Sequence, residues 1–224
     1  MTFSLAGRDA PTGMFGTVVA SSSPCVAARC AHARAGVGAA ASQNVTDPSL
    51  GPKLLDLLMA GRSAEDAMAA VTDDASFVQF RQLTVVDDAR RTAVWSGAKA
   101  LGRSGSAQGD GCVAAGNLLA SDDVPGAMVR AFESAEGAHL VERLVHALEA
   151  GLAAGGEEGP VMSCGLVAVD RVSWPIADLR VDWRDEPIAD LRALWTVWEP
   201  QMNDYVRRAL DPTSAPSYGV PGDT

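Results

Sequence analysis

Apolar positions along this chain repeat with two different periods, and the changes of period mark its elements. Phe3 to Arg8 reads as a short strand. Asp9-Ala10-Pro11-Thr12-Gly13 then supplies turn chemistry. Phe15 to Ser21 reads as a second strand, so the chain begins with a predicted hairpin. Gly36 to Gln43 is small, apolar and glycine-rich, the pattern of a buried strand whose neighbours approach closely. After Pro48-Ser49-Leu50-Gly51-Pro52, the leucines at 54, 55, 57 and 58 predict a helix ending near Gly61. Ser63 as N-cap, with Asp66 at the third helical position, predicts another helix to about Val71. Phe80 to Val86 alternates in part and ends in Asp87-Asp88, a hairpin-turn candidate, and Thr92 to Ser96 returns. Gly102 to Gly111 reads as loop, and Cys112 to Leu119 as strand. Val124–Ser134 and Leu140–Ala153 are helices; in the second, Leu140, Val141, Leu144, Leu148 and Leu152 share a face, and Gly155-Gly156 stops it. Ser163 to Val172 is a strongly apolar strand, with a further strand expected after it. Pro187 to Leu210 is a helix expected to break at Pro200.

Strands joined by tight turns imply mainly antiparallel sheet. Helices that arrive in pairs, rather than singly between strands, argue against a doubly wound fold. The expected class is α+β, with paired sheets flanked by paired helices in one domain over residues 1–210. Residues 211–224, rich in Pro, Gly and Ser, read as an irregular tail.

With 224 residues and 47% hydrophobic side chains, the chain can fill a large core. Its net charge of −10, with lysine only at 53 and 99, disfavours nucleic acid and anionic membranes as partners. No apolar run approaches the roughly 20 residues that span a bilayer. Met1 to Leu5 lacks the basic and apolar regions of a signal peptide, so the cytoplasm is the expected compartment. Cysteines at 25, 30, 112 and 164 are too few and scattered for a disulfide scaffold. A small molecule or a second protein is the partner class left, and Trp195 and Trp198 on the last helix are candidate anchors for a homodimer.

Thr2 carries the sharpest chemical hypothesis. Removal of Met1 would leave an α-amine beside a hydroxyl, and such an amine can act as base for its own side chain. The plain alternative is a small residue after a start codon. Gln43-Asn44, Arg81-Gln82 and Gly116-Asn117 put polar groups where strands should be apolar. Gln43, Asn44, Arg81 and Asn117 are therefore substrate-binding candidates, or satisfied core groups. Cys25-x4-Cys30-x-His32 resembles half a metal site without its other half. Buried cysteines are the simpler reading. Cys112 could only serve as a residue exposed by internal cleavage. His139 and His146 are seven apart, which suggests two solvated histidines on one helix face. No dinucleotide, Walker, nucleophile-elbow or zincin motif is present, so no cofactor or metal is expected.

The stretches Thr2–Asp9, Ala35–Gln43, Pro48–Gly51, Arg81–Asp87, Ala115–Leu119 and Arg208–Asp223 resemble, in order, a bacterial family catalogued as domain of unknown function 1028 and grouped with the N-terminal-nucleophile (Ntn) hydrolases. The resemblance implies a four-layer αββα sandwich, Ntn-hydrolase-like, with Thr2 at the nucleophile position. It points to an amidohydrolase acting on a small linear amide, or to a noncatalytic relative that binds a metabolite or partner. The helper lysine of Thr-type Ntn enzymes has no counterpart here, and Arg34 is the nearest cation by spacing. Val161-Met162 stand before Ser163 where the family often carries Arg-Gln.

Overall fold

The computed structural model describes residues 1–219. Its elements are β1 (Thr2–Arg8), β2 (Phe15–Ser21), α1 (Ala27–Cys30), β3 (Ala31–Arg34), β4 (Gly38–Asn44), α2 (Leu50–Met59), α3 (Ala64–Asp74), β5 (Arg81–Asp87), β6 (Thr92–Ser96), β7 (Gly105–Gly109), β8 (Cys112–Asn117), α4 (Val124–Ser134), α5 (Leu140–Ala153), β9 (Ser163–Val169), β10 (Ala177–Val181) and α6 (Pro187–Leu210). The protein is a mixed α/β fold in which one sheet runs β10-β9-β2-β1-β8-β7 and a second runs β3-β4-β5-β6. Each ladder between them is antiparallel.

Alternation along the strands sorts most of the core into three parts, beside a smaller cluster of Val19, Val26, Ala27 and Cys30. Phe3 and Leu5 of β1, Val18 and Ala20 of β2 and Leu166 of β9 pack against α4, α5 and α6. Leu83 and Val85 of β5 pack against Leu54, Leu55 and Leu58 of α2 and against α3. Ala6, Phe15, Ala39, Val86, Val113 and Val169, from both sheets, form a third cluster between them. Gly38 shows why β4 begins on a glycine and continues with alanines: a Cβ there would stand 2.5 Å from the Val86 carbonyl and 2.6 Å from Leu58. Ser63 caps α3 as expected, its hydroxyl accepting the Asp66 N–H at 3.1 Å.

Four expectations are corrected. Residues 105–109, expected in a loop, form the edge strand β7. It lies under α4, where a Cβ on Gly109 would meet Val129 at 2.7 Å, so its small residues permit close packing. Helix α6 runs unbroken through Pro200, since both Pro200 and Thr196, whose carbonyl loses its N–H partner, are exposed to water. Trp195 and Trp198 are not free anchors. Trp195 is buried and donates to Glu142, and Trp198 donates to the Ile176 carbonyl. His139 is no helix-face residue. It caps α5, its Nδ1 accepting the Val141 N–H at 3.2 Å while its ring stacks on Trp195.

One buried ion pair ties the first hairpin to the helices. Arg143 of α5 meets Asp9 at 2.8 Å, donates to the Phe132 carbonyl and lies over the Phe132 ring. Of the expected tail, residues 211–219 carry no helix or strand, and Arg208 donates to the Pro216 carbonyl; residues 220–224 lie outside the described part. No helix among the described residues is long and apolar enough to cross a membrane.

Candidate functional site

At one end of the larger sheet, four adjacent strands present a polar residue at the same level. Thr2 of β1 pairs with Asn117 of β8, and Ser21 of β2 pairs with Ser163 of β9. The register of β1 on β2, Phe3 against Ala20, puts Thr2 beside Ser21. The four side chains share the face that looks toward the second sheet. All are buried, Thr2 at 4% exposure and the others at 0%.

Their hydrogen bonds run outward from Thr2. Its Oγ lies 3.4 Å from that of Ser21, and both hydroxyls donate to the Met1 carbonyl. Ser21 and Ser23 hydroxyls are 2.8 Å apart, and Arg29 donates to Ser23 at 2.9 Å. Ser163 donates to the Ser23 carbonyl and accepts the Val26 N–H. A cation thus stands at the end of the hydroxyl chain, and it is Arg29. Arg34, the expected one, faces outward and pairs with Asp56 at 2.8 Å.

On the other side, the sheets are joined by amides. Ser4 donates to Gln43 at 2.6 Å, Gln43 donates to Gln82 at 2.8 Å and to the Ala115 carbonyl, and Asn117 donates to Gln82 at 3.1 Å. The Oδ1 of Asn117 remains buried without a donor. Gln43 and Asn117 therefore belong to one network with Thr2's neighbours. Asn44 and Arg81 do not. One residue further along a strand is the opposite face. Asn44, with φ +75°, spends its side chain on the Phe80 carbonyl and the Leu101 N–H. Arg81 donates to the Val45 carbonyl.

Glu157 is a candidate that the sequence pattern does not mark. It sits in the segment that bridges Leu119, at 5% exposure, with neither carboxylate oxygen in a hydrogen bond of normal geometry. Burial raises its pKa to about 7, against the opposing pull of the chain's amino terminus and of Ser22. A carboxyl whose pKa lies near neutrality can act as a proton donor or acceptor at physiological pH. Its lone position in a glycine-rich loop gave no periodic signal.

The other candidates are dispersed. Cys112 begins β8 in the core and burial lifts its thiol to about 12, which makes it inert rather than a cleavage-exposed nucleophile. Cys25 is exposed while Cys30 is buried beside Thr46, and His32 is pressed against Gly51. Among the described residues no three His, Cys, Asp or Glu side chains converge as metal ligands would.

Comparison with known proteins bears out the family named in the resemblance. The profile of a family of unknown function, DUF1028, matches residues 2–191. The chain belongs to that family. A DUF1028 protein of known crystal structure, SPO2555 from Silicibacter pomeroyi, is 30% identical, with a TM-score of 0.83 over 92% of this chain and 94% of that one. Two Anbu (ancestral beta-subunit) structures are far more distant. The one from Yersinia bercovieri is 9% identical with a TM-score of 0.39, covering 92% of this chain and 97% of its own. The Gly-1 mutant from Hyphomicrobium sp. strain MC1 is 10% identical with a TM-score of 0.35, covering 98% and 100%. No curated protein matches. DUF1028 membership thus accounts for nearly the whole chain and brings no activity with it.

Proposed function

We propose that residues 1–210 form one Ntn-type αββα unit whose Thr2, once Met1 is removed, hydrolyses a small linear amide. The observation that carries this reading is the row Asn117-Thr2-Ser21-Ser163. It lines up hydroxyl and amide groups across four adjacent strands, at the one point where the chain's first residues enter the sheet. Removal of Met1 would release the hydroxyls of Thr2 and Ser21 from the carbonyl they now donate to. It would also take away a side chain that packs 3.5 Å from the Cβ position of Gly159. In this reading Thr2 Oγ attacks the amide carbon and the Thr2 amine takes its proton. The proton is passed to the leaving amine, water then hydrolyses the ester, and Glu157 holds or relays a proton beside the amine. Backbone N–H groups would hold the oxyanion, while Gln43 and Asn117 line the substrate side. Asn44 and Arg81 would support the surrounding loops.

A second reading, a noncatalytic member that binds a metabolite or partner, is favoured by one observation. With Met1 in place Thr2 is buried, and its hydroxyl is engaged by the Met1 carbonyl and the Ser21 hydroxyl. The test is the intact mass of tag-free protein from its own start codon, followed by turnover of a panel of short linear amides. Loss of Met1 and turnover that vanishes in Thr2→Ala support the hydrolase. Retained Met1, or turnover unchanged in Thr2→Ala, refutes it.

A further inference from the structure

Strand β10 is the outer edge of the six-stranded sheet, and among the described residues it forms a ladder with β9 alone. An edge strand offers unpaired backbone groups to any second strand. Proteins commonly block such an edge with like charges, proline or a covering loop. β10 reads Ala177-Asp178-Leu179-Arg180-Val181: Ala177, Leu179 and Val181 go into the core, while Asp178 and Arg180 are exposed on the opposite face. The two charges are opposite in sign and equidistant from Leu179. In an antiparallel pair of two β10 strands centred on Leu179, Asp178 lies directly across from the partner's Arg180, and Arg180 across from the partner's Asp178. Within one chain the two make only a loose contact at 3.4 Å between exposed groups.

The surroundings fit the same axis. Beside the end of β10 is an open apolar groove of about 800 Å³, bounded by the exposed Trp183, Leu194 and Val197. A two-fold axis through Leu179 lays the hairpin that precedes β10 in one copy, with its exposed Trp174, alongside residues 182–184 of the other. Apolar area is needed there, because two short strands bury too little alone.

We propose that a second copy of this chain docks on this edge, β10 against β10 about a two-fold axis, so that the two six-stranded sheets run into one. The interface is isologous and closes on itself, so it makes a dimer and not a fibre. It does not involve the Thr2 row, and it stands whether or not that row is catalytic.

The experiment is sedimentation of the full chain across micromolar concentrations, with the exposed-charge variants Asp178→Arg and Arg180→Asp and with their mixture. Wild type should be a dimer. Each single variant puts like charges opposite each other twice, and should dissociate at concentrations roughly tenfold to a hundredfold higher. The equimolar mixture restores both ion pairs and should return to the wild-type dimer, as should the double swap Asp178→Arg/Arg180→Asp. A monomeric wild type, a dimer indifferent to the single variants, or a mixture that stays dissociated while both variants melt like wild type would each overturn the proposal.

Discussion

At the scale of the residue, Glu157 has its chemistry changed by burial. Its folded-state pKa, about 7, lies above the ordinary 4.5 because burial penalises the carboxylate. An acid raised in this way contributes its full share of stability only below its unfolded pKa, and that share is lost as pH rises through the folded value. The chain should therefore lose stability between about pH 5 and 8, by up to roughly 3 kcal/mol. Glu157→Gln should flatten that slope. Urea unfolding of both proteins at several pH values measures it, and an equal slope in the variant would mean that other groups are responsible. Neighbouring positions show how fine the division of labour is. Gln43 and Gln82 bridge the sheets, while Asn44 and Arg81 beside them hold loop carbonyls.

Among elements, β4 is hemmed in at its first residue by a neighbouring strand and by α2. At Gly38 an added methyl meets a backbone carbonyl of β5 on one side and Leu58 of α2 on the other. Gly38→Ala should cost roughly 1–3 kcal/mol, the range for overpacking a close-packed site, read as a fall in melting temperature. A variant as stable as wild type would show that β4 and β5 can part. The turn after β5 is held differently. Asp87 accepts the N–H groups of Ala89 and Arg91 and reaches Ala64 at the start of α3, so one carboxylate organises both a hairpin and a helix terminus. The turn is legible in Asp87-Asp88 and α3 in its Ser63 cap, but the bond that joins them spans 23 residues and leaves no local pattern.

At the scale of the whole molecule, Asp9 and Arg143 connect the first hairpin to the helical layer from positions 134 residues apart. Each is about 7% exposed at the side chain. Removing one partner leaves the other charge buried and unpaired, so Arg143→Met or Asp9→Asn alone should cost roughly 3–5 kcal/mol. The double variant should cost less than the two singles combined, which a double-mutant cycle of unfolding free energies measures. Simple additivity would show that the pair is not coupled.

Local sequence determined most of the elements. Period-two and helical patterns, the Ser63 cap, the Gly155-Gly156 stop and the close approach at the glycine-rich strand are written in neighbouring residues, because each depends on contacts within a few positions. The pattern also marked Gln43 and Asn117 as polar groups out of place in strands. Tertiary structure decided the rest. Strand parity determined which of two adjacent polar residues faces the interior. Strand order, which no local pattern encodes, brought Ser21 and Ser163 level with Thr2 and put Arg29 rather than Arg34 at the end of their hydroxyl chain. Only packing showed that Trp195 is core, that β7 is a strand beneath a helix, and that Glu157 is buried close to the amino terminus. Burial and long-range pairing depend on where distant segments meet, and a single chain read in order does not carry that information on its surface.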